Sequence, residues 1–145
     1  ASIMINQYAT AQWSGTIKEG QGQMSTQSGV LKDTPYGFNT RFEGKAGSNP
    51  EELIAAAHAG CFSMALSKIL GEADMTADSI DTKATVTLDK VDGGFAVTKS
   101  HLDVTIKVSG GDEAAMKDCA QKAKAGCPIS KLLNAEISMD VTVET

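Results

Sequence analysis

The sequence is short of positive charge and contains a single arginine. Its 145 residues include 13 basic and 18 acidic side chains, giving a formal net charge of −5, and every basic residue except Arg41 is a lysine. A chain with this balance has no surplus of cations for phosphate groups, so nucleic acid and anionic membranes are disfavoured as partners. Because a planar guanidinium can do what an ammonium cannot, Arg41 is a candidate functional residue.

Long hydrophobic runs, aromatic residues and cysteines are also scarce. Aromatic residues make up 5% of the chain, and no apolar stretch approaches the roughly 20 residues that cross a bilayer, so we expect no membrane span. Residues 1–15 contain neither a basic segment nor a long apolar run, so we expect no secretory leader. Three cysteines in such a chain do not suggest a disulfide framework. These absences predict a reduced, cytoplasmic protein.

The pattern of the chain predicts one α+β domain over residues 1–145. Residues 1–48 are rich in glycine and carry short alternating runs, which are typical of a meander of antiparallel strands. A long apolar helix should follow, beginning at Asn49 and Pro50 and ending near Gly71. It is apolar nearly all round, so we expect it to be central in the fold or covered by a partner.

The second half alternates between strands and helices. Residues 80–88 and 95–108 show a period of two, with a turn at Asp92-Gly93-Gly94 and a change of frame near residues 99–101 that predicts a bulge. A second helix should begin after Asp112. Its buried face should consist of the apolar positions Met116, Cys119, Ala120 and Ala123. A last strand covers residues 137–143. We therefore expect mainly antiparallel sheets.

The three cysteines occupy different environments. Cys119 shares a helix face with apolar residues and is expected to pack as a small hydrophobic side chain. Cys127 lies between Gly126 and Pro128, which predicts a position at the start of a short helix, where backbone N–H groups favour a thiolate. Cys61 lies within the apolar helix, and that alone favours burial. The spacing of cysteines and histidines matches no zinc pattern, so we expect no metal.

Other residues of the helix that carries Cys61 each have a functional and a purely structural interpretation. His58 lies three residues before Cys61 on the same helix face and could act as a base for its thiol, although a hydrogen-bonded core histidine is the commoner case. Glu51 and Glu52 need no function, since acidic residues at a helix start offset the helix dipole.

Four segments together resemble the osmotically inducible protein C (OsmC) family. They are PYGFNTRFEG (residues 35–44), NPEELIAAAHAGCF (49–62), SIDTKATVTLDKVDGGFAVTK (79–99) and KAKAGCPIS (122–130). The likeness is to the OsmC branch rather than to the organic hydroperoxide resistance branch. It implies an OsmC-like fold with a long central helix, an intertwined homodimer, and no cofactor.

The resemblance also implies an activity and the residues responsible. The activity would be thiol-dependent reduction of organic hydroperoxides and hydrogen peroxide, with an external dithiol as reductant. Cys61 would attack the peroxide and Cys127 would resolve the product, while Arg41 and Glu51 would orient and activate Cys61. Arg41 should then lower the pKa of Cys61 below its ordinary value. One departure is Gly60, where the family motif HAACF has alanine.

Two other functions stay open from the residues alone. One is a non-enzymatic dimer that binds a hydrophobic small molecule and has redox-sensitive cysteines. The other is a cysteine acyl-transfer or hydrolase enzyme with His58 as its base.

The expected catalytic roles of Glu51 and Cys61, combined with the geometry of an α-helix, indicate a dimer. Glu51 and Cys61 are 61 − 51 = 10 residues apart on one helix, which separates them by about 15 Å along the axis. They cannot meet within one copy, but an antiparallel helix from a two-fold partner would bring them level. The small residues at 55–57, 59 and 60 would let two helices approach closely. We therefore expect a homodimer with composite sites.

Overall fold

The computed structural model describes residues 3–145, and any expectation about residues 1 and 2 lies outside it. The described residues divide into two compact units, one that ends at residue 50 and one that covers residues 51–145. The change from one unit to the other falls where the glycine-rich part of the sequence gives way to the apolar helix. The expectation of a single domain stays a prediction.

The first unit contains the predicted meander. Strands β1 (Ala9–Ser14), β2 (Gln21–Thr26) and β3 (Thr34–Tyr36) form one antiparallel sheet in that order. A short helix α1 (Phe38–Phe42), which the sequence pattern did not predict, follows β3. Its first turn is closed by Thr40, whose hydroxyl accepts a hydrogen bond of 2.9 Å from the Gly37 N–H. Arg41 lies in the last turn of α1.

Gly22 allows two aromatic rings to meet over the first sheet. It pairs with Trp13 on β1 and with Tyr36 on β3, and the two ring centroids are 5.6 Å apart. A Cβ atom at Gly22 would come within 2.5 Å of the Tyr36 ring and 2.7 Å of the Trp13 ring. A larger residue would therefore separate the rings.

The long helix α2 (Pro50–Glu72) has close to the predicted bounds. Its buried residues are His58, Phe62, Leu66 and Leu70, four residues apart, so a single stripe enters the core. An 18-residue window of α2 has a mean hydropathy of 1.5, so by length and composition this helix could cross a bilayer. The expectation that no apolar stretch approaches that length is therefore wrong. One such helix is weak evidence of a span, because a core helix meets the same criteria.

The second unit contains a three-stranded sheet in the order β4 (Ser79–Val91), β5 (Gly94–Lys107) and β6 (Glu136–Glu144). β4 and β5 form the predicted antiparallel hairpin around the turn at Asp92 and Gly93. The pairing passes from Lys99 opposite Thr87 to Val97 opposite Leu88, so Thr98 is the bulged residue. The bulge thus falls one residue before the predicted segment.

β5 and β6 are parallel, which the prediction of mainly antiparallel sheets did not anticipate for this pair. A parallel connection needs a crossover of a dozen or more residues, and helices α3 (Glu113–Gly126) and α4 (Pro128–Leu132) supply it. Asp112 caps α3 by accepting a hydrogen bond of 3.1 Å from the Ala115 N–H. The buried face of α3 consists of the predicted residues Met116, Cys119, Ala120 and Ala123.

The core of the second unit joins α2, β5, α3 and the start of α4. It consists of Phe62, Leu66, Leu70, Leu102, Val104, Ile106, Val108, Met116, Cys119, Ala120, Ala123 and Cys127. Burial of these side chains holds α2 and α4 against the same sheet, because each contributes apolar surface to one cluster. Two of the three cysteines are therefore core residues.

Leu102→Ala should destabilise the protein by about 2–5 kcal/mol, because Leu102 is fully buried in β5 and its removal leaves a cavity. Urea unfolding followed by circular dichroism measures this. Leu132→Ala is the matched control, since Leu132 is 73% exposed, and it should change the free energy of unfolding by less than about 0.5 kcal/mol. Equal effects of the two substitutions would contradict this description of the core.

Candidate active site

Two of the three cysteines meet in the second unit. Cys61 on α2 and Cys127 at the start of α4 place their sulfur atoms 2.8 Å apart, and both are free thiols. A disulfide bond is about 2.05 Å long, so a small approach would join them. Residues 66 positions apart in the chain form this contact.

Local sequence explains how Cys127 reaches this position. Gly126 ends α3, Cys127 is the N-cap of α4, and Pro128 occupies the first turn. Proline suits this position because its missing N–H would have no partner there. Cys127 is fully buried, whereas Cys61 is half-buried. A small molecule therefore has a route to Cys61 rather than to Cys127.

The two thiols differ in acidity. Burial raises the pKa of Cys61, and the hydrogen bond and charge of Cys127 add to that rise, while the Ile129 N–H opposes it. Burial would also raise the pKa of Cys127, but hydrogen bonds from Cys61, from the N–H and hydroxyl of Ser130, and from the Ile129 N–H lower it overall. Cys127 is therefore the more acidic thiol of the pair.

Within the second unit burial and Cys127 raise the pKa of Cys61, so the lowered pKa expected for this thiol depends on Arg41 and stays a prediction. The expectation gave the largest effect to a cation, whereas burial in the apolar core and competition with Cys127 dominate here. A thiolate at Cys61 needs a further positive group beside the sulfur.

His58 does not face Cys61 through its ring nitrogens. It is fully buried, with Nδ1 2.7 Å from Ser100 Oγ and Nε2 2.8 Å from Ser130 Oγ. Burial lowers the pKa of His58, which favours a neutral ring. Because both nitrogens already have serine partners, this geometry does not favour a hydrolase with His58 as the base for Cys61.

Cys119 lies in the core, as its helix face predicted. It is 4% exposed, and its sulfur lies 4.0 Å from the Ile69 carbonyl oxygen. Burial raises the pKa of Cys119; Lys122 opposes that rise and Asp118 adds to it. A buried thiol with a raised pKa is a poor nucleophile.

Arg41 belongs to the first unit, beside an apolar cavity. Its guanidinium lies 5.4 Å from the centre of the Phe42 ring. The cavity has a volume of about 300 Å³ and is lined by Trp13, Ile17, Tyr36, Gly37, Phe38, Arg41, Phe42 and Pro50. A guanidinium group at the edge of an aromatic cavity can bind a molecule that has an apolar body and a polar end.

Glu51 and Cys61 both lie on α2, in its first turn and near its middle. Helix geometry separates them by about 15 Å along the axis. The structure therefore brings Cys61 and Cys127 together, while Glu51 does not reach Cys61 within one chain. The catalytic roles of all four residues, Arg41 included, stay predictions. A Cβ atom at Gly60 would meet nothing within 4 Å, so the departure from HAACF costs no packing inside this chain.

A different group of side chains could hold a metal ion by geometry. His101, Asp103 and Asp140 each place a ligand atom within 4.8 Å of the others, and His101 Nε2 lies 3.1 Å from Asp140 and 3.3 Å from Asp103. Both carboxylates are exposed, and the hydrogen bond between His101 Nε2 and Asp140 accounts for part of the cluster. The expectation of no metal stays a prediction.

Sequence reasoning missed Ser100 and Ser130. Both are buried polar residues and both contact His58. Ser130 carried a signal for its place in the first turn of α4, three residues after a predicted N-cap, but none for its contact with His58. Ser100 carried none, since serine within a strand has no fixed partner.

The geometry is that of a two-thiol redox site in an α+β protein. Its thiols can be joined and separated without a metal or an organic cofactor taking part in the bond.

Comparison with known proteins agrees with this class. Residues 42–142 match the family model described as OsmC-like protein. Over 143 residues the chain is 57% identical to Peroxiredoxin OsmC of Escherichia coli strain K12, covering 99% of this chain and 100% of that protein. It is 31% identical to organic hydroperoxide resistance protein OhrB of Bacillus subtilis strain 168 over 124 residues, covering 85% and 88% of the two chains. The chain therefore belongs to the OsmC-like protein family.

Comparison of the fold with solved structures supports the same family. The crystal structure of OhrB from Bacillus subtilis superposes with a TM-score of 0.67 and 26% identity, covering 94% of this chain and 98% of that one. The predicted family and its fold are confirmed.

Oxidation with diamide should give an intramolecular disulfide between Cys61 and Cys127 and leave Cys119 reduced, because only the first two sulfurs are in contact. Alkylation of the remaining thiols followed by peptide mass mapping identifies the bridge. Cys119→Ser should form the same bridge at the same rate. A bridge containing Cys119 would contradict the described geometry.

Proposed function

We propose that this protein is a thiol-dependent peroxidase that reduces organic hydroperoxides and hydrogen peroxide. The observation that carries the proposal is the 2.8 Å contact between Cys61 and Cys127. The relatives named as a peroxiredoxin and as an organic hydroperoxide resistance protein support the same chemistry. A pure binding protein has no need of two thiols poised to form a bond, so the contact favours the enzyme over the ligand-binding dimer.

The first half of the reaction belongs to Cys61, the thiol that solvent can reach. Its thiolate attacks one peroxide oxygen, so an S–O bond forms while the O–O bond breaks. The other oxygen leaves as an alkoxide and takes up a proton to become an alcohol. Cys61 is then a sulfenic acid.

The second half belongs to Cys127. Its sulfur attacks the sulfenic acid, a disulfide forms, and the hydroxyl group leaves as water. Because the two sulfurs are already in contact, the sulfenic acid can be captured before a second peroxide oxidises it further. An external dithiol then reduces the disulfide and returns both thiols.

Arg41 supplies the positive group that Cys61 needs. Since burial and Cys127 raise the pKa of Cys61, a guanidinium beside the sulfur would restore the thiolate and hydrogen-bond the peroxide oxygen. Glu51 would hold the guanidinium in place through a carboxylate pair. The aromatic cavity next to Arg41 suits the apolar group of an alkyl or aryl hydroperoxide.

The active form is a homodimer with shared sites. β1 is exposed along its whole length, and α2 leaves Ala56, Ala57, Gly60 and Met64 exposed. A three-stranded sheet and a helix with such uncovered surface are commonly completed by a partner. An antiparallel α2 from a second copy would bring its Glu51 level with Cys61.

The protein acts in defence against oxidative and osmotic stress. It works in the reducing cytoplasm, uses no metal or organic cofactor, and has a small hydroperoxide and a dithiol as its partners.

Cys61→Ser should abolish peroxide reduction, because the attacking sulfur is gone. Cys127→Ser should consume about one equivalent of peroxide and then stall, because its sulfenic acid has no resolving thiol. Cys119→Ser is the matched control and should keep full turnover. Stopped-flow peroxide consumption with a dithiol reductant distinguishes the three. Equal multiple-turnover activity in the Cys61 and Cys127 variants, without a monothiol present, would exclude these roles.

A mixture of Cys61→Ser and Glu51→Ala subunits should recover activity that neither variant has alone. Each heterodimer would contain one site with both residues intact and one site with neither, so it should have about half the wild-type activity. Subunit exchange is verified by native mass spectrometry before the peroxidase assay. No recovery in verified heterodimers, or a monomer at micromolar concentration, would contradict the shared site. Replacing Glu51→Ala by Arg41→Ala in the mixture determines which subunit supplies Arg41: recovery assigns it to the partner.

A further inference from the structure

The disulfide that the proposed reaction forms has two sulfurs in different surroundings. The sulfurs of Cys61 and Cys127 are 2.8 Å apart in the reduced protein, and a disulfide bond is about 2.05 Å long. Bond formation therefore needs an approach of less than about 1 Å, so the surroundings of the two thiols are also those of the two disulfide sulfurs. Thiol–disulfide exchange attacks one sulfur and releases the other, and the surroundings determine which one is attacked.

Cys127 is closed to an incoming thiol. Its exposed fraction is 0%, and its backbone is bonded on both sides. Its N–H donates to the Ala123 carbonyl oxygen at 2.9 Å, and its own carbonyl oxygen accepts from the Lys131 N–H at 3.1 Å. The sulfur can be uncovered only if the junction of α3 and α4 opens. A partner subunit added to this structure can only cover more surface, so Cys127 stays closed in a dimer as well.

Cys61 is the open end of the disulfide. It is half-buried, and the proposed reaction already requires a hydroperoxide to reach its sulfur. Acidity favours the same direction, because the thiol of lower pKa leaves faster. Burial raises the pKa of both thiols, but the pKa of Cys127 is lowered overall by Cys61, Ser130 and Ile129, whereas Cys127 raises the pKa of Cys61 further. Attack on Cys61 therefore releases the better leaving group.

We propose that the external dithiol attacks the sulfur of Cys61 and that Cys127 is the leaving group, so the oxidant and the reductant reach the same sulfur in turn. The inference rests on the proposed function, which makes a dithiol the reductant. One thiolate of the dithiol bonds to Cys61 while the Cys61–Cys127 bond breaks, and Cys127 leaves as a thiolate that takes up a proton. The second thiolate of the dithiol then attacks the reductant sulfur bound to Cys61, which closes the reductant's own disulfide and releases the Cys61 thiolate. Two electrons pass from the dithiol to the protein disulfide.

The kinetics of reduction distinguish attack on an open sulfur from attack on a closed one. Protein oxidised with diamide is mixed with dithiothreitol, and its free thiols are alkylated at intervals and counted by mass spectrometry. The rate should rise in proportion to the dithiothreitol concentration and change by less than about twofold in about 1 M urea, because attack on Cys61 needs no opening. Oxidised glutathione, a fully open disulfide, is the control for any effect of urea on the exchange itself. A rate that reaches a plateau with dithiothreitol, or that rises more than about twofold with urea, would show that the junction of α3 and α4 must open first and would overturn the inference.

The position of the mixed disulfide tests the same step directly. A monothiol cannot complete the second exchange, so glutathione in large excess should leave a population with glutathione bound to one cysteine. Acid quenching stops further exchange, because it protonates the thiolates. Alkylation in denaturant followed by peptide mass mapping should then find glutathione on Cys61 and the alkyl group on Cys127. Glutathione on Cys127 together with an alkylated Cys61 would contradict the proposed direction of attack.

These outcomes separate the inference from the proposed function. Both experiments start from protein oxidised with diamide and contain no hydroperoxide. If the wild-type protein does not consume peroxide through Cys61, the peroxidase proposal fails, and the two experiments still determine which sulfur a thiol attacks.

Discussion

The contact between the sulfurs of Cys61 and Cys127 depends on the packing of two helices against one sheet. α2 contributes Phe62, immediately after Cys61, and α4 begins with Cys127 itself; both residues are fully buried in the same core. A dense core transmits small displacements, so the 2.8 Å separation is maintained by packing rather than by a covalent bond. Two reduced thiols can therefore be ready to react without being joined.

The same packing sets the acidity of the two thiols. Removing both sulfurs from water disfavours their charged forms, and what distinguishes them is the supply of hydrogen bonds. The pKa of Cys127, at the start of α4, is raised by burial but lowered overall by Cys61, Ser130 and Ile129. The pKa of Cys61, within a continuous helix, is raised by burial and by Cys127, and Ile129 opposes that rise. Helix starts offer unpaired donors and helix interiors do not, so the difference in acidity between the two thiols agrees with where each cysteine falls in its helix.

The proposed role of Glu51 would leave the peroxide-binding part of the site incomplete within one chain. Glu51 is on the same helix as Cys61 and too far along it to help, while α2 and β1 leave apolar and small residues in contact with solvent. The proposed homodimer would account for both features together. The long helix is apolar on faces that a single chain does not bury, so the composition that makes α2 meet the criteria for a membrane span also suits a helix shared between two subunits.

Local signals in the sequence determined the elements and one part of the site. Proline positions set the starts of α2 and α4, Gly126 set the end of α3, and apolar spacing gave the buried face of α3, because these preferences act over one or two helical turns. The position of Cys127 at a helix start follows from its two neighbours alone. The tertiary structure decided what depends on residues distant in the chain: the parallel pairing of β5 with β6, the contact of Cys61 with Cys127, and the binding of His58 by Ser100 and Ser130. A single sequence has no local pattern for such contacts, since they arise only when folding brings together residues that are 37 to 72 positions apart in the chain.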